Sequence, residues 1–224
     1  MTAELVLALQ HGDSAFPSGS FGFSNGVEGL FALGLPPGRQ GFERALVAAL
    51  RHRWATADRV ALALAYRAGD DLDAVAAVDA QVEASILPEP QRTGSRRNGA
   101  ALLAAHTRLG TPLAATLRAE IDGGRACGHL PVVQGVMWRA LGMSEHTAIA
   151  VAGYAAAAGA ATAALRLGRI GAIDAQSVLA AALTVVVDVA DVPVPAGAEV
   201  ASFTPWLDIA AARHARAPMR LFAN

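Results

Sequence analysis

Several residue classes are scarce in this chain of 224 residues. It has one cysteine, Cys127, and no lysine, so all eighteen basic residues are arginine. A single cysteine excludes a disulfide framework and a multi-cysteine metal cage. The missing lysine excludes the usual phosphate-binding loop, which needs one. The nineteen acidic residues outnumber the eighteen basic ones, so the main electrostatic support for nucleic-acid binding is absent. We therefore expect no nucleic-acid partner.

The chain also lacks a segment typical of a membrane span or a signal peptide. Residues 149–165 carry no charge, but alanine and glycine dominate them, and they are short and weakly hydrophobic for a bilayer crossing. The N-terminus has neither the basic start nor the apolar run of a secretion signal. We expect a cytoplasmic protein with no membrane partner, in which residues 149–165 form a buried helix.

Convincing strand patterns are nearly absent, and helical spacing of apolar residues predominates. The predicted fold is all-α: a single-domain bundle of about ten helices with a flexible C-terminal tail. The predicted helices cover residues 3–12, 25–34, 39–68, 71–87, 94–109, 112–122, 131–141, 145–168, 174–190 and 205–216. We expect residues 1–204 to form the main helical unit, and residues 205–224 to be a C-terminal helix and partner-binding tail of the same domain.

The C-terminus is unusually apolar and basic. A chain end is normally polar, yet the sequence from residue 205 onward contains Trp206, Leu207, Ile209, Leu221 and Phe222. Such an ending predicts a segment that another surface covers, and a second protein chain is one candidate for that surface.

The loop at residues 12–29, GDSAFPSGSFGFSNGVEG, combines three phenylalanines with several glycines. Its glycine spacing matches neither known phosphate fingerprint. One interpretation is a tight connection between helices whose phenylalanines fill the core. The other is a binding surface held in a constrained shape.

Arginines and soft ligand atoms form two further groups. Arg92, Arg96 and Arg97 surround Ser95 near the predicted start of a helix. Three interpretations are open: the arginines form a solvated surface, they clamp loops together from inside, or they are offered to a partner.

Cys127 and His129 lie two positions apart and are weak candidates for a metal contact, because two ligands are fewer than a tight site requires.

Catalytic patterns are missing. The serines have no nucleophile-elbow context, and no nucleotide-binding fingerprint occurs. We expect a protein that is not an enzyme and has no cofactor of its own.

Four motifs taken together resemble the UreF family of urease accessory proteins. The first, D-S-A-x-P-x-G-x-F followed by S-x-G-x-E, runs from Asp13 to Glu28. The second, R-x-x-S-x-x-x-G-x-x-L-L, begins at Arg92, and the third, H-x-P-x-x-x-G, begins at His129. The fourth is the ending L-D-I, R-H and R-L-F. Phe23 stands where the family often has histidine, so a metal role at that position is not implied.

The resemblance implies a urease maturation scaffold that forms a homodimer and binds the D-type accessory protein, also called H-type. It would recruit the GTPase UreG to apo-urease for GTP-dependent nickel insertion. GTP would be bound by the partner GTPase, and nickel would be handled by the complex, with Cys127 and His129 lining its path. The resemblance and the residue patterns together give these candidate partner-binding residues: Phe16, Pro17, Gly19, Phe21, Ser24, Glu28, Arg92, Ser95, Arg96, Asp208, Arg213, His214, Arg220, Leu221 and Phe222.

Two alternative functions stay open at this point. In the first, the protein is a regulator that activates the GTPase UreG, and Arg92 or Arg96 enters the nucleotide site of UreG. A helical domain that binds a small molecule would instead have its pocket beneath the alanine-rich helix.

Overall fold

The computed structural model describes residues 2–19, 22–24, 26–34, 38–214 and 221–222, and these contain helices and no strands. We number the helices α1 to α10. Helix α3 consists of three segments that follow one another without a break: Arg39–Ala49, the π-helical Leu50–Asp58, and Arg59–Ala68. The others are α1 (Thr2–Gly12), α2 (Val27–Ala32), α4 (Leu72–Ser85), α5 (Glu89–Arg108), α6 (Ala114–Asp122), α7 (Leu130–Ala140), α8 (Glu145–Arg166), α9 (Ala172–Ala190) and α10 (Pro205–His214).

The predicted all-helical bundle is therefore confirmed, and most helix ends lie within two residues of the prediction. The largest difference is α5, which begins at Glu89 rather than at residue 94. Pro88 precedes it and Pro90 occupies its first turn, where the missing N–H costs nothing. The run TVVVDV at residues 184–189 is rich in β-branched residues and by itself would suit a strand, but it belongs to helix α9.

Helix α7 is the centre of the bundle. Every residue from Pro131 to Trp138 is buried, so α7 has no solvent face in this stretch. A helix that is apolar on all sides must be surrounded by others. The last segment of α3 and helix α5 both pack against α7, while α8 contacts α7, α3 and α9.

The connection between α9 and α10 is bound along α3. The Arg59 guanidinium is buried and donates to the carbonyl oxygens of Val189 and Val192, at 2.7 and 2.6 Å. Arg67 donates to the carbonyl of Val194 at 2.9 Å. The backbone N–H of Ala201 donates to the Thr56 carbonyl at 3.1 Å, within the π-helical segment. Residues 191–204 thus follow a fixed path from α9 to α10.

In the part of the chain that the structure describes, two helices are long and apolar enough to cross a membrane by length and composition alone: α8 and α9. More than half of the most apolar stretch of α8 is buried inside the bundle, at 56%. Core helices satisfy the same criterion, so this is weak evidence for a membrane span. The burial of α8 agrees with the expectation of a buried alanine-rich helix.

The crossing of α3 and α7 requires a residue without a side chain. A Cβ atom on Gly135 would lie 2.4 Å from the Leu62 carbonyl oxygen and 2.9 Å from the Tyr66 amide nitrogen. Both atoms belong to the α3 backbone and have no rotamer by which to move away. The two helices therefore meet backbone to backbone at Gly135.

We predict that Gly135→Ala lowers the free energy of unfolding by about 1–3 kcal/mol, because the methyl group forces α3 and α7 apart. Urea unfolding followed by circular dichroism measures the change. The matched control is Gly159→Ala in α8, where a Cβ meets no atom within 4 Å. Alanine favours the helix there, so the control should be neutral or more stable by up to about 1 kcal/mol. Equal effects of the two substitutions would contradict the proposed close contact.

Candidate functional site

Glu28 joins the N-terminal loop to the C-terminal end of the chain. It lies in the first turn of α2, and its carboxylate accepts hydrogen bonds from the backbone N–H groups of Leu221 and Phe222, at 2.8 and 3.1 Å. The His214 Nε2 atom lies 3.0 Å from the same carboxylate. One side chain of α2 therefore holds the end of α10 and two backbone groups of the tail.

Phe222 is covered by its own chain. Its side chain is 4% exposed, and the Arg166 guanidinium lies over the ring at 4.4 Å from the centroid. The surface that covers Phe222 here is the chain's own, whereas a second protein chain was one candidate for it. Among the described residues near it in sequence, three apolar side chains remain uncovered: Phe203, Ile209 and Leu221, which are 81%, 55% and 55% exposed.

Helix α10 packs against α2 at another close backbone contact. A Cβ on Gly29 would lie 2.5 Å from the Ala210 carbonyl oxygen. Leu207 and Ala210 of α10 pack with Leu30 of α2 in a small apolar cluster. Arg213 is exposed and lines a groove with Leu33, which is partly exposed beside it.

The aromatic loop is partly a core element. The Phe16 ring is half-buried and lies 4.6 Å from the His11 ring and 5.8 Å from the His106 ring, measured between centroids. Pro17 is exposed and lines an open groove with Phe16 and Leu109. Gly19 has a φ of +76°, and a Cβ there would lie 2.6 Å from the Ala101 side chain. The described part of the loop thus combines core packing with an exposed apolar edge.

His11 and His106 form a stacked pair beneath this loop, with ring centroids 5.3 Å apart. His106 is fully buried and its Nδ1 atom lies 3.0 Å from the Thr111 hydroxyl. Burial, and then the charge of His11, lower the pKa of His106 to about 4. Burial also lowers the pKa of His11. The pair is therefore neutral near pH 7.

Arg92 and Arg96 connect α4 to α5. Both lie 3.6 Å from the Oε1 atom of Glu83 on α4, and both pair with Glu89 at the start of α5, at 2.6 and 3.2 Å. Arg92 also donates to the Ile86 carbonyl at 2.9 Å. Because α5 begins at Glu89, Arg92 lies at the end of its first turn and Arg96 lies one turn further into the helix. Of the three interpretations, the contacts favour the clamp.

Asp79 on α4 holds the loop that leads into α7. Its carboxylate is 1% exposed and accepts the backbone N–H groups of Cys127, Gly128 and His129, at 2.6, 2.6 and 3.0 Å. The sequence predicted no role for this residue, because an aspartate in a helix is normally solvent-exposed. Its position four residues after Val75 places it on the buried face of the helix, which was the available signal.

Glu83, Cys127 and His129 come together next to Asp79. The His129 Nε2 atom lies 2.8 Å from Oε2 of Glu83, and one ligand atom from each of the three residues lies within 4.8 Å of the others. His129 is fully buried, while Glu83 and Cys127 are half-buried. Burial and the charges of Asp79 and Glu83 raise the pKa of the Cys127 thiol. Glu83 was not predicted as part of this group.

A cavity of about 190 Å³ lies beneath the alanine-rich helix α8, and apolar side chains such as Leu50 and Leu102 contribute to its lining. It is lined by the π-helical segment of α3 and by polar side chains of α5 and α7, including three buried atoms without a partner among the described residues: Gln91 Nε2, Asn98 Oδ1 and Trp138 Nε1. Burial raises the pKa of the Asp58 carboxyl, which also faces the cavity. Unpartnered polar atoms favour a hydrated interior here. The hypothesis of a pocket beneath α8 agrees with this location.

The candidate partner-binding residues occupy different environments. Pro17, Gly19, Arg213 and Leu221 are exposed, whereas Phe16, Glu28, Arg92, Ser95, Arg96 and Asp208 are half-buried. Ser24, His214 and Phe222 are buried. Phe21 and Arg220 lie outside the described residues. Ser95 accepts a hydrogen bond from the Leu130 backbone at 3.3 Å, so it contributes to the α5–α7 contact.

Comparison with known proteins supports one family. The UreF family model matches residues 38–183, which is most of the chain. The chain belongs to the UreF family. Proteins named urease accessory protein UreF from Yersinia pestis (strain Pestoides F) and Yersinia enterocolitica serotype O:8 / biotype 1B (strain NCTC 13174 / 8081) are each 30% identical to it. Each alignment covers 99% of both chains.

In this UreF-family chain, we predict that Glu28→Ala releases the C-terminal tail, because two backbone hydrogen bonds lose a charged acceptor. Trypsin cleavage of the Arg220–Leu221 bond, followed by mass spectrometry, should be about tenfold faster than in the parent protein. The control is Glu199→Ala, at an exposed position on the connection to α10. Equal cleavage rates for the two variants would show that Glu28 does not hold the tail.

We also predict an acid-sensitive step in the stability of this UreF-family protein. The pKa of His106 is about 4 in the folded chain against 6.5 for an unperturbed histidine, so the unfolded chain binds this proton first. The free energy of unfolding should therefore fall between pH 6.5 and pH 4, by up to about 3 kcal/mol from His106.

Urea unfolding at a series of pH values measures this slope. His106→Gln should reduce it, whereas His146→Gln, at an exposed histidine, should leave it unchanged. A slope that persists in full in His106→Gln would assign the effect to other groups.

Proposed function

We propose that this protein is a non-catalytic scaffold for urease maturation in the cytoplasm. In this proposal it forms a homodimer, binds the D/H-type accessory protein and recruits the GTPase UreG to apo-urease. GTP is bound by UreG, and nickel is the cargo of the complex. Family membership supports the place in urease assembly, since the relatives carry the name urease accessory protein.

The observation that carries the partner-binding role is the end of the chain held against α2. The Glu28 carboxylate binds the Leu221 backbone and the end of α10, while the apolar side chains of Ile209 and Leu221 stay exposed. Ile209 and Arg213 are four residues apart in α10, so they lie on the same helix face. An exposed apolar residue beside an arginine is a typical anchor pair in protein interfaces.

Pre-ordering of the tail favours binding. A free tail loses about 1–2 kcal/mol of backbone entropy per residue when a partner fixes it. Contacts with Glu28 and Arg166 already order Phe222 in the free protein, so less entropy is lost when a partner binds. The D/H-type protein would then cover Ile209, Leu221 and their surroundings rather than extract Phe222 from the core.

The alternative role of an arginine donated to the UreG nucleotide site has less support. Arg92 and Arg96 already pair with Glu83 and Glu89, and Arg92 also binds a backbone carbonyl. Donation would require these contacts to break. We therefore assign the two arginines to the α4–α5 junction.

Capture of the D/H-type accessory protein tests the proposal. We predict that a chain ending before Met219 captures much less of it than the full chain, and that Ile209→Arg in the full chain lowers capture at least tenfold. The loss follows from a charge placed in a desolvated contact.

The matched control is Ile173→Arg in α9, an isoleucine that is 81% exposed. It should leave capture unchanged. Melting temperatures of all variants separate lost binding from lost folding. Full capture by both the shortened chain and Ile209→Arg, with folding intact, would rule out this surface as the binding site.

A further inference from the structure

The group Glu83, Cys127 and His129 has the composition of a transition-metal site. It offers one carboxylate oxygen, one thiol sulfur and one imidazole nitrogen, all within 4.8 Å of one another. Nitrogen and sulfur ligands are preferred by borderline divalent ions such as Zn²⁺, Co²⁺ and Ni²⁺, whereas Mg²⁺ and Ca²⁺ prefer oxygen alone. The residues come from α4 and from the loop before α7, so only the folded chain assembles them.

The backbone that carries two of these residues is held rigidly. Asp79 accepts the N–H groups of residues 127, 128 and 129, which fixes the path of the loop. A Cβ at Gly99 of α5 would lie 2.0 Å from the Gly128 carbonyl oxygen, so helix α5 presses directly on this turn. The loop therefore presents Cys127 and His129 in one defined arrangement.

The two oxygens of Glu83 have different neighbours. Oε1 faces Arg92 and Arg96 at 3.6 Å, and Oε2 faces His129 Nε2 at 2.8 Å. The arginines thus orient the carboxylate while one oxygen points into the group. Outer partners that orient a ligand in this way are usual in metal sites.

We infer that Glu83, Cys127 and His129 bind one divalent transition-metal ion, of the class of Zn²⁺, Co²⁺ or Ni²⁺, on this chain by itself. The ion takes the Glu83 oxygen, the His129 nitrogen and the Cys127 sulfur, and a water fills a fourth position. The thiol releases its proton to solvent on binding, so two negative ligands balance the charge of the ion. This inference does not depend on the proposed scaffold role, because it concerns the isolated chain.

Accommodating an ion requires small movements. Metal–ligand bonds of about 2.0 to 2.3 Å in a tetrahedral site separate the ligand atoms by roughly 3.3 to 3.7 Å. The atoms are now between 2.8 Å and 4.8 Å apart, so shifts of about 1 Å suffice. Cys127 and Glu83 are half-buried, which leaves the ion a route from solvent.

Titration of the full, tag-free chain with Co²⁺ tests the inference. We expect one Co²⁺ per chain and a thiolate-to-cobalt charge-transfer band in the near ultraviolet. Competition with a chromophoric chelator then measures the affinity for Zn²⁺ and Ni²⁺. Cys127→Ser should remove the band and lower each affinity at least tenfold.

His129→Gln should also weaken binding, but His129 is buried and this variant can lose its fold. Cys127→Ser at a half-buried position keeps the test valid, and melting temperatures check both variants. The control is His146→Gln, an exposed histidine 3.0 Å from Asp191, which should bind as the parent does. A parent chain that gives no charge-transfer band, or unchanged affinity in folded Cys127→Ser, would overturn the inference. Neither result affects capture of the D/H-type protein, which is measured separately.

Discussion

Helix backbones in this protein approach so closely that a methyl group has no room between them. At Gly135, Gly29 and Gly99 a Cβ atom would lie 2.4, 2.5 and 2.0 Å from a carbonyl oxygen of another segment. Each contact sets the position of one structural element. The first sets the core crossing of α3 and α7, the second places α10 on α2, and the third presses α5 onto the loop that carries Cys127 and His129.

Carboxylates then fix the segments that the glycines bring together. Glu28 binds two backbone N–H groups of the tail, and Asp79 binds three in the loop before α7. In both places a charged acceptor on a helix satisfies backbone donors of a segment without regular structure. Such bonds are stronger than neutral ones and direct the chain precisely. The tail surface and the histidine–cysteine–glutamate group therefore share one structural device.

Much of the fold could be predicted from the sequence because helical spacing and breakers are local signals. The start of α5 was misplaced, since the polar run from Glu89 to Asn98 has no apolar stripe of its own. Its burial comes from other segments: Gln91 contacts Arg53 of α3, and Gly94 lies against Phe23 of the N-terminal loop. Glu83 and Asp79 were missed for a related reason: a carboxylate on a helix is normally solvated, and only the fold brings the partners of these two within reach. Those partners are the loop before α7 for Asp79, and that loop together with Arg92 and Arg96 of α5 for Glu83. The resemblance to UreF motifs supplied candidate site residues, and their partner-binding role stays a prediction.

The sequence by itself determined the helices, their order, the family and the absence of a disulfide framework, because these follow from spacing, motifs and cysteine count. Tertiary structure decided which groups meet. It buried Phe222 against its own chain under Arg166, left Ile209 and Leu221 uncovered, and placed Glu83 beside His129. Such contacts join residues that are far apart in sequence: His129 and Glu83 are 46 positions apart, and Phe222 and Glu28 are 194 positions apart. A sequence pattern predicts local structure, but it does not show which distant residues come into contact.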